Sequence, residues 1–150
     1  MSIILILIPF LAAFAILAGL AKARSIATIA ASANLLLGLG TVFCWKASIW
    51  DLSWKVLSKP NIHLSLGFYD GMSLVMVILS VLVLFAAVMS GKCPEGRDKL
   101  WYSSILLIGA GGLGAFLSTD LFFFYAFHEL ALIPTFLMIG ILGSGDRKNA

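Results

Sequence analysis

Five long apolar runs, separated by short polar breaks, most restrict how this chain can fold. A helix needs about 20 mostly apolar residues to cross a hydrocarbon core of about 30 Å. The chain is 61% hydrophobic and only 11% charged, whereas soluble domains carry about 25% charged residues. The sequence therefore predicts an all-α membrane protein, a polytopic helical bundle forming one membrane domain over residues 1–150. The predicted transmembrane helices cover residues 3–21, 25–45, 71–90, 100–117 and 121–142, and residues 46–69 form a predicted outer interfacial loop.

The ten Lys and Arg residues lie in the breaks between apolar runs. This distribution is typical of membrane-edge charges rather than of a nucleic-acid-binding face, so we expect the lipid bilayer and no nucleic acid as a partner. Basic residues in short loops favour the cytoplasmic or matrix side. Seven basic residues lie in breaks on one predicted side of the membrane and three on the other. This difference predicts an outside N-terminus, with the end near Ala150 on the cytoplasmic or matrix side. The predicted inner set is Lys22, Arg24, Lys92, Arg97, Lys99, Arg147 and Lys148, and the outer set is Lys46, Lys55 and Lys59.

The two cysteines indicate no metal or redox site. The predicted topology places Cys44 and Cys93 on opposite sides of the bilayer, so we expect no disulfide between them. Neither belongs to a CxxC motif or lies near a cluster of histidines. Any electron-carrying cofactor would therefore be on another chain.

Three glycines, Gly109, Gly111 and Gly114, spell the G-x-G-x-x-G pattern of dinucleotide-binding turns. That pattern needs a preceding strand and the N-terminus of a soluble helix, whereas these glycines lie in mid-membrane among apolar residues. Packing is the better interpretation, because the spacings of Ala110 to Gly114 and Gly111 to Ala115 are small-xxx-small. Such spacing lets another backbone approach closely.

Glu129 is the only acidic residue inside a predicted span. A charge at mid-membrane costs at least about 2.5 to 3.5 kcal/mol on insertion scales, so an intramembrane acid is by default a functional hypothesis. One interpretation is a proton-relay carboxylate whose movable partner switches it between holding and releasing a proton. The other is a buried structural ion pair. Every Lys and Arg lies in or beside a loop, so a partner cation would come from elsewhere.

Three neighbours are candidates for supporting Glu129. Tyr125 lies one turn earlier on the same face and could donate a hydrogen bond to the carboxylate. Pro134 removes the donor for the carbonyl of Leu130, which leaves an acceptor and a predicted bend next to the acid, or simply a packing kink. His128 faces about 100° away, where it could extend a relay or bond a neighbouring helix.

Three further polar residues have simpler interpretations. Asp70 and Asp120 head the third and fifth predicted helices, where capping of free N–H groups is favoured. His63 lies in the outer loop and is interpreted as a solvated residue.

The fifth apolar run resembles a known family. Its segment from Thr119 through Phe127-His128-Glu129-Leu130 and Ile133-Pro134 to Gly143 resembles the fifth membrane helix of the antiporter-like subunits of respiratory complex I, the NADH:quinone oxidoreductase. The acid followed by Leu-Ile-Pro is similar to the M-type subunit, called subunit 4 in mitochondria. Tyr69-Asp70-Gly71-Met72-Ser73-Leu74 is similar to the entry to that family's third helix.

This resemblance implies a function for Glu129. It corresponds to the family's glutamate, which pairs with a lysine on a later helix and takes part in proton translocation driven by quinone reduction. The implied partners are other membrane subunits of complex I. NADH, FMN, iron–sulfur clusters and quinone would be bound by other subunits, with no cofactor on this chain. The implied location is a bacterial inner membrane or an organellar energy-transducing membrane.

The family fold has about fourteen helices with inverted repeats, so the resemblance implies that this chain is the first part of it, as a fragment or as half of a split subunit. Residues 144–150 are interpreted as a connection to a sixth helix. Two alternatives stay open. One is the related subunit of a multisubunit sodium/proton antiporter or a membrane-bound hydrogenase, and the other is a purely structural membrane scaffold.

Overall fold

The computed structural model describes residues 2–20, 22–44, 52–57, 62–66, 71–91, 93 and 96–143. Five α-helices and a short β-hairpin account for most of this part of the chain, in agreement with the predicted all-α membrane class. The elements are α1 (Ser2–Leu17), α2 (Ala23–Cys44), β1 (Leu52–Leu57), β2 (Ile62–Leu66), α3 (Gly71–Ser90), α4 (Asp98–Leu117) and α5 (Leu121–Leu137), which continues as a π-helical turn (Met138–Leu142).

Helix α1 ends four residues before the predicted limit at residue 21. Gly19 adopts a positive φ of 75°, and the N–H groups of Gly19 and Leu20 donate to carbonyls of the last turn, at Ile16 and Ala15. This is a glycine-terminated helix end. With 16 residues, α1 extends about 24 Å. By length and composition, α2 to α5 can each cross a membrane, whereas α1 is a shorter apolar helix.

Helix α4 is the central helix of the described bundle. It packs against α1, α2, α3 and α5, and 61% of its spanning segment is buried, compared with 6% for α5. Two apolar clusters form the core. One includes Ala13, Ile16, Ala27, Val88, Tyr102 and Leu106 near the α1–α2 turn, and the other consists of Leu5, Ile6, Val77, Val81, Leu113 and Leu117.

The predicted outer interfacial loop contains a β-hairpin, which was not predicted. Strands β1 and β2 pair antiparallel, with Ser53 opposite Ser65 and Trp54 opposite Leu64, and the register shifts between Lys55 and Leu57. Residues 62–66 alternate apolar and polar types, which is the period-two pattern of a half-buried strand. His63 lies in β2 opposite Lys55.

The turn between α4 and α5 is as tight as predicted. Helix α4 ends at Leu117 and α5 begins at Leu121. Asp120 caps α5, because its carboxylate accepts a hydrogen bond of 2.8 Å from the N–H of Phe122, so the capping prediction for Asp120 is confirmed. Asp70, the other predicted cap, lies outside the described residues.

The basic residues of the α1–α2 and α3–α4 turns lie at one end of the bundle. The ammonium of Lys99 approaches Gly19 at the end of α1. The guanidinium of Arg97 donates a hydrogen bond to the carbonyl of Ile141, in the π-helical turn. The α1–α2 turn, the α3–α4 turn and the C-terminal end of α5 therefore meet at the same end.

Candidate functional site

A seam of small residues holds α5 against α4. A Cβ added to Gly111 would lie 2.7 Å from the carbonyl oxygen of Phe127 and 2.9 Å from the backbone nitrogen of Ala131. A Cβ on Gly114 would lie 2.3 Å from the ring of Phe127. Real side chains do not approach so closely, so only glycine fits at both positions. The predicted packing role of the small-xxx-small spacing is confirmed.

The third glycine of the pattern faces a different helix. A Cβ on Gly109 would lie 2.6 Å from a methyl group of Leu84 in α3. All three glycines lie inside the uninterrupted helix α4, which differs from the strand-to-helix turn that a dinucleotide fingerprint requires. The pattern in this chain therefore packs helices.

Glu129 lies on the face of α5 that points away from α4. It is two residues from both Phe127 and Ala131, which corresponds to about 200° around the helix from either seam residue. Its side chain is exposed on the described bundle. Apolar side chains surround it on the same exposed side, among them Ile133 at 61% and Phe136 at 75% exposure. The acid therefore lies in the middle of an apolar surface that this part of the chain does not cover.

Two of the three predicted neighbours of Glu129, Tyr125 and His128, contact the ring of Phe124. Tyr125 is exposed one turn before Glu129, and its ring meets Phe124 edge-on with 5.9 Å between centroids. His128 stacks on Phe124, with centroids 6.4 Å apart and planes at 15°. Within the described residues, the structure shows no hydrogen bond from Tyr125 to Glu129. Tyr125 and Glu129 thus lie on the same face of α5, and His128 lies on the adjacent face.

Pro134 is the one buried residue of α5. The helix continues through it as far as Leu137 and then widens into the π-helical turn. Proline has no N–H, so the carbonyl of Leu130, next to Glu129, lacks its usual helical donor. The hydroxyl of Thr135 donates 2.8 Å to the carbonyl of Ala131. Polar backbone is therefore available one residue beyond the acid, and π-helical turns occur often at functional sites.

Two basic side chains of the α3–α4 turn and the start of α4 lie far from Glu129. Arg97 reaches Ile141, which is twelve residues further along α5, or about 18 Å. Lys99 is at the same end, beside Gly19. Among the described residues, these two basic side chains lie at the end of the bundle and not at the level of the acid.

A polar cavity at the basic end was not predicted. Its volume is about 540 Å³, and its lining includes Arg24, Ser90, Cys93, Asp98 and Tyr102. Burial raises the pKa of the Cys93 thiol to about 11, and the hydrogen bond and negative charge of Asp98 add to the effect. A protonated thiol is a poor nucleophile and a poor metal ligand. In the described ranges, the structure contains no group of three or more His, Cys, Asp or Glu side chains that could hold a metal ion.

Apolar helices of membrane-spanning length, a small-residue seam and a mid-span acid define a polytopic helical membrane protein. No protein-family model matches the chain. Among individual proteins, it is 30% identical to NAD(P)H-quinone oxidoreductase chain 4 1 of Synechococcus sp. (strain JA-3-3Ab), over 97% of this chain and 29% of the relative. It is 32% identical to NADH-quinone oxidoreductase subunit M of Rhodobacter capsulatus, over 87% of this chain and 24% of the relative.

The fold agrees with these relatives. The chain superposes with a TM-score of 0.82 and 25% identity on a chain of respiratory complex I from Thermus thermophilus, covering 99% of this chain and 31% of that one. Its homologues over most of its length are therefore NADH-quinone oxidoreductase subunit M and chain 4 membrane proteins. The chain spans less than a third of the length of the relatives that it matches.

Proposed function

We propose that this chain is part of a proton-translocating membrane subunit of an NAD(P)H:quinone oxidoreductase, and that Glu129 is its proton-exchanging carboxylate. The observation that carries the proposal is the position of Glu129, at mid-span and on the face of α5 opposite the α4 seam. The names of the relatives support the choice of enzyme over a sodium/proton antiporter or a hydrogenase.

The exposed face of α5 suits a carboxylate that exchanges protons with another segment. An ionised acid facing lipid is costly, so we expect helices from beyond this chain's five to cover Glu129 and to supply its partner cation. Tyr125 is placed to donate to the carboxylate after a change of rotamer, because the two side chains lie one turn apart. Pro134 and the Leu130 carbonyl would offer an acceptor for water beside the acid. His128, stacked on Phe124, is the candidate for extending the relay along the neighbouring face.

The proposal assigns the redox chemistry to other subunits. NADH, FMN, iron–sulfur clusters and quinone would be bound there, and this chain would handle protons only. The relevant membrane would be a bacterial inner membrane or an organellar energy-transducing one. A purified assembly that contains the chain should catalyse the reduction of quinone by NADH or NADPH. An assembly that exchanges sodium for protons without such activity would contradict this part of the proposal.

The basic end of the bundle would face the cytoplasm or matrix, because basic residues favour that side. Lys22, an exposed residue of the α1–α2 turn, can report on this orientation. An impermeant amine reagent should modify it only after the membrane is permeabilised. Modification in sealed cells would reverse the proposed topology.

The test of the carboxylate is Glu129→Gln in the assembled complex. Gln keeps the size of the side chain but cannot exchange a proton, so proton uptake into vesicles and coupled turnover should collapse while assembly is retained. Ile133→Gln is the matched control, because it places the same amide one turn later on the same exposed face. The control should pump normally.

Two results would contradict the proposal. Normal pumping by Glu129→Gln would show that the acid does not exchange the proton. Loss of assembly in Glu129→Gln, with assembly preserved in Ile133→Gln, would show that the acid pins a neighbouring helix, as the scaffold interpretation holds.

A further inference from the structure

The middle of α2 contains a buried amide without a partner. Asn34 has 0% exposure, and among the described residues neither its Oδ1 nor its Nδ2 has a hydrogen-bond partner. The other buried polar side chain of α2 differs, because the hydroxyl of Thr41 donates 2.6 Å to the carbonyl of Gly38. A buried polar group that lacks a partner is costly, so each one calls for an explanation.

Helix α1 contributes a second polar group, which lacks its usual helical donor. Pro9 lies inside α1 and is almost completely buried. Because proline has no N–H, the carbonyl of Leu5 loses the donor that residue 9 would normally supply. Leu5 itself is 2% exposed, so this carbonyl is in the interior as well.

The two groups lie at the same depth. Leu5 is twelve residues before the end of α1, and Asn34 is eleven residues after the start of α2. At 1.5 Å per residue, both are about 17 Å from the turn that joins the two packed helices. Leu35, the neighbour of Asn34, packs against the apolar cluster that contains Leu5.

Asn34 also lies on a face of α2 that meets that cluster. Gly38 lies one turn later on the same face of α2, and a Cβ added there would be 2.8 Å from Val81. Val81 and Leu5 are both members of the cluster. Leu5 and the face of α2 that carries Asn34 therefore border the same apolar cluster.

We propose that Asn34 and the carbonyl of Leu5 form a water-binding site between α1 and α2. A water that accepts from Nδ2 and donates to the Leu5 carbonyl would satisfy both groups, and a second one would donate to Oδ1. Buried waters typically make two to four such hydrogen bonds. The site is independent of the proposed role of Glu129, and Glu129→Gln should leave it unchanged.

Water-edited solid-state NMR of the chain in lipid nanodiscs tests the site directly. The chain has three asparagines, Asn34, Asn61 and Asn149, so labelling asparagine with ¹⁵N gives three side-chain amide signals, assigned by substitution. The amide of Asn34 should receive magnetisation from water at short mixing times, although the residue is buried. In Pro9→Ala, the new N–H should bond the Leu5 carbonyl, and this transfer should decrease. A dry Asn34 amide, or one bonded directly to a protein carbonyl, would overturn the proposal.

A double-mutant comparison measures whether the two groups share water. In the protein that retains Pro9, Asn34→Leu should lower the thermal unfolding midpoint by about 2 to 4 °C. The substitution removes the amide that holds the water, which leaves the Leu5 carbonyl without a hydrogen-bond donor. In Pro9→Ala, the shift should be less than half as large. Thr41→Val is the matched control and should cause the same shift in both backgrounds. Equal shifts for Asn34→Leu in both backgrounds, or the same background dependence for Thr41→Val, would refute a shared site.

Discussion

Two adjacent glycines of α4 should respond oppositely to the same substitution. A methyl group on Gly111 would meet backbone atoms of α5, 2.7 Å from the Phe127 carbonyl oxygen and 2.9 Å from the Ala131 nitrogen. A methyl group on Gly112 would meet nothing within 4 Å. Backbone atoms cannot rotate away as a flexible side chain can, so Gly111→Ala must push α5 outward by several tenths of an ångström.

The difference between the two variants isolates this contact. Both changes replace glycine by alanine in the same helix, so both gain the same intrinsic helix stability, roughly 0.5 to 1 kcal/mol. Overpacking typically costs about 1 to 3 kcal/mol, and it applies only to Gly111. We therefore expect Gly112→Ala to be neutral or stabilising and Gly111→Ala to be less stable than Gly112→Ala by about 1 to 3 kcal/mol.

Denaturant titration of the chain in lipid nanodiscs, followed by helical circular dichroism, measures the difference. Phe127 reports on the seam independently, because moving α5 outward should change the NMR signals of its ring in Gly111→Ala only. If Gly111→Ala and Gly112→Ala unfold at the same denaturant concentration, the close approach of α4 and α5 does not exist, and the placement of Glu129 opposite the seam would need revision.

Three further outcomes follow from the described contacts. Asp120→Ala should destabilise the start of α5 by about 1 kcal/mol, measured by thermal unfolding, and Asp120→Asn, which keeps an acceptor, should not. Because the pKa of Cys93 is raised from 9.0 to about 11, the neutral thiol favours the fold below pH 9, and this stabilisation is lost as the pH rises through 11. In a Cys44→Ser background, alkylation at pH 9 should therefore be slow and should accelerate in Asp98→Asn, and an unchanged rate would exclude Asp98 as a cause. Gly19→Ala should cost about 1 kcal/mol in a thermal melt, because φ is 75° there and that region strains other residues.

The sequence predicted the positions of the helices well, because polar residues bound the apolar runs. Its main error in helix limits was at α1, where Leu20 and Ala21 continue the apolar run beyond the glycine that ends the helix. Hydropathy does not detect this helix end, whereas the preference for glycine just after a helix would have located it. The β-hairpin was missed for a similar reason, since tryptophans and lysines dominated the interpretation of a loop whose alternation was visible in residues 62–66.

The roles of the candidate site residues stay predictions, and the sequence did not predict where on the bundle they would lie. Helical geometry alone places Tyr125 with Glu129 and turns His128 away, and the structure agrees. No one-dimensional pattern showed that α5 would contact the bundle through Phe127, Ala131 and Pro134 and leave the acid on the far side. The orientation of α5 depends on which neighbouring helix each glycine of α4 faces. The unpaired amide of Asn34 was missed because a single asparagine in an alanine-rich run has no periodic signal.

The tight turn between α4 and α5 also has a consequence for biogenesis. Only residues 118–120 separate the two helices, too few for α5 to enter the bilayer independently of α4. The pair must therefore insert as one helical hairpin, with the glycine seam closing as it enters. The insertion penalty of Glu129, about 2.5 to 3.5 kcal/mol, is then spread over two apolar helices whose spanning segments both have a mean hydropathy of 1.6. Joint insertion allows the hairpin to carry an acid to mid-membrane with the apolar surface of two helices.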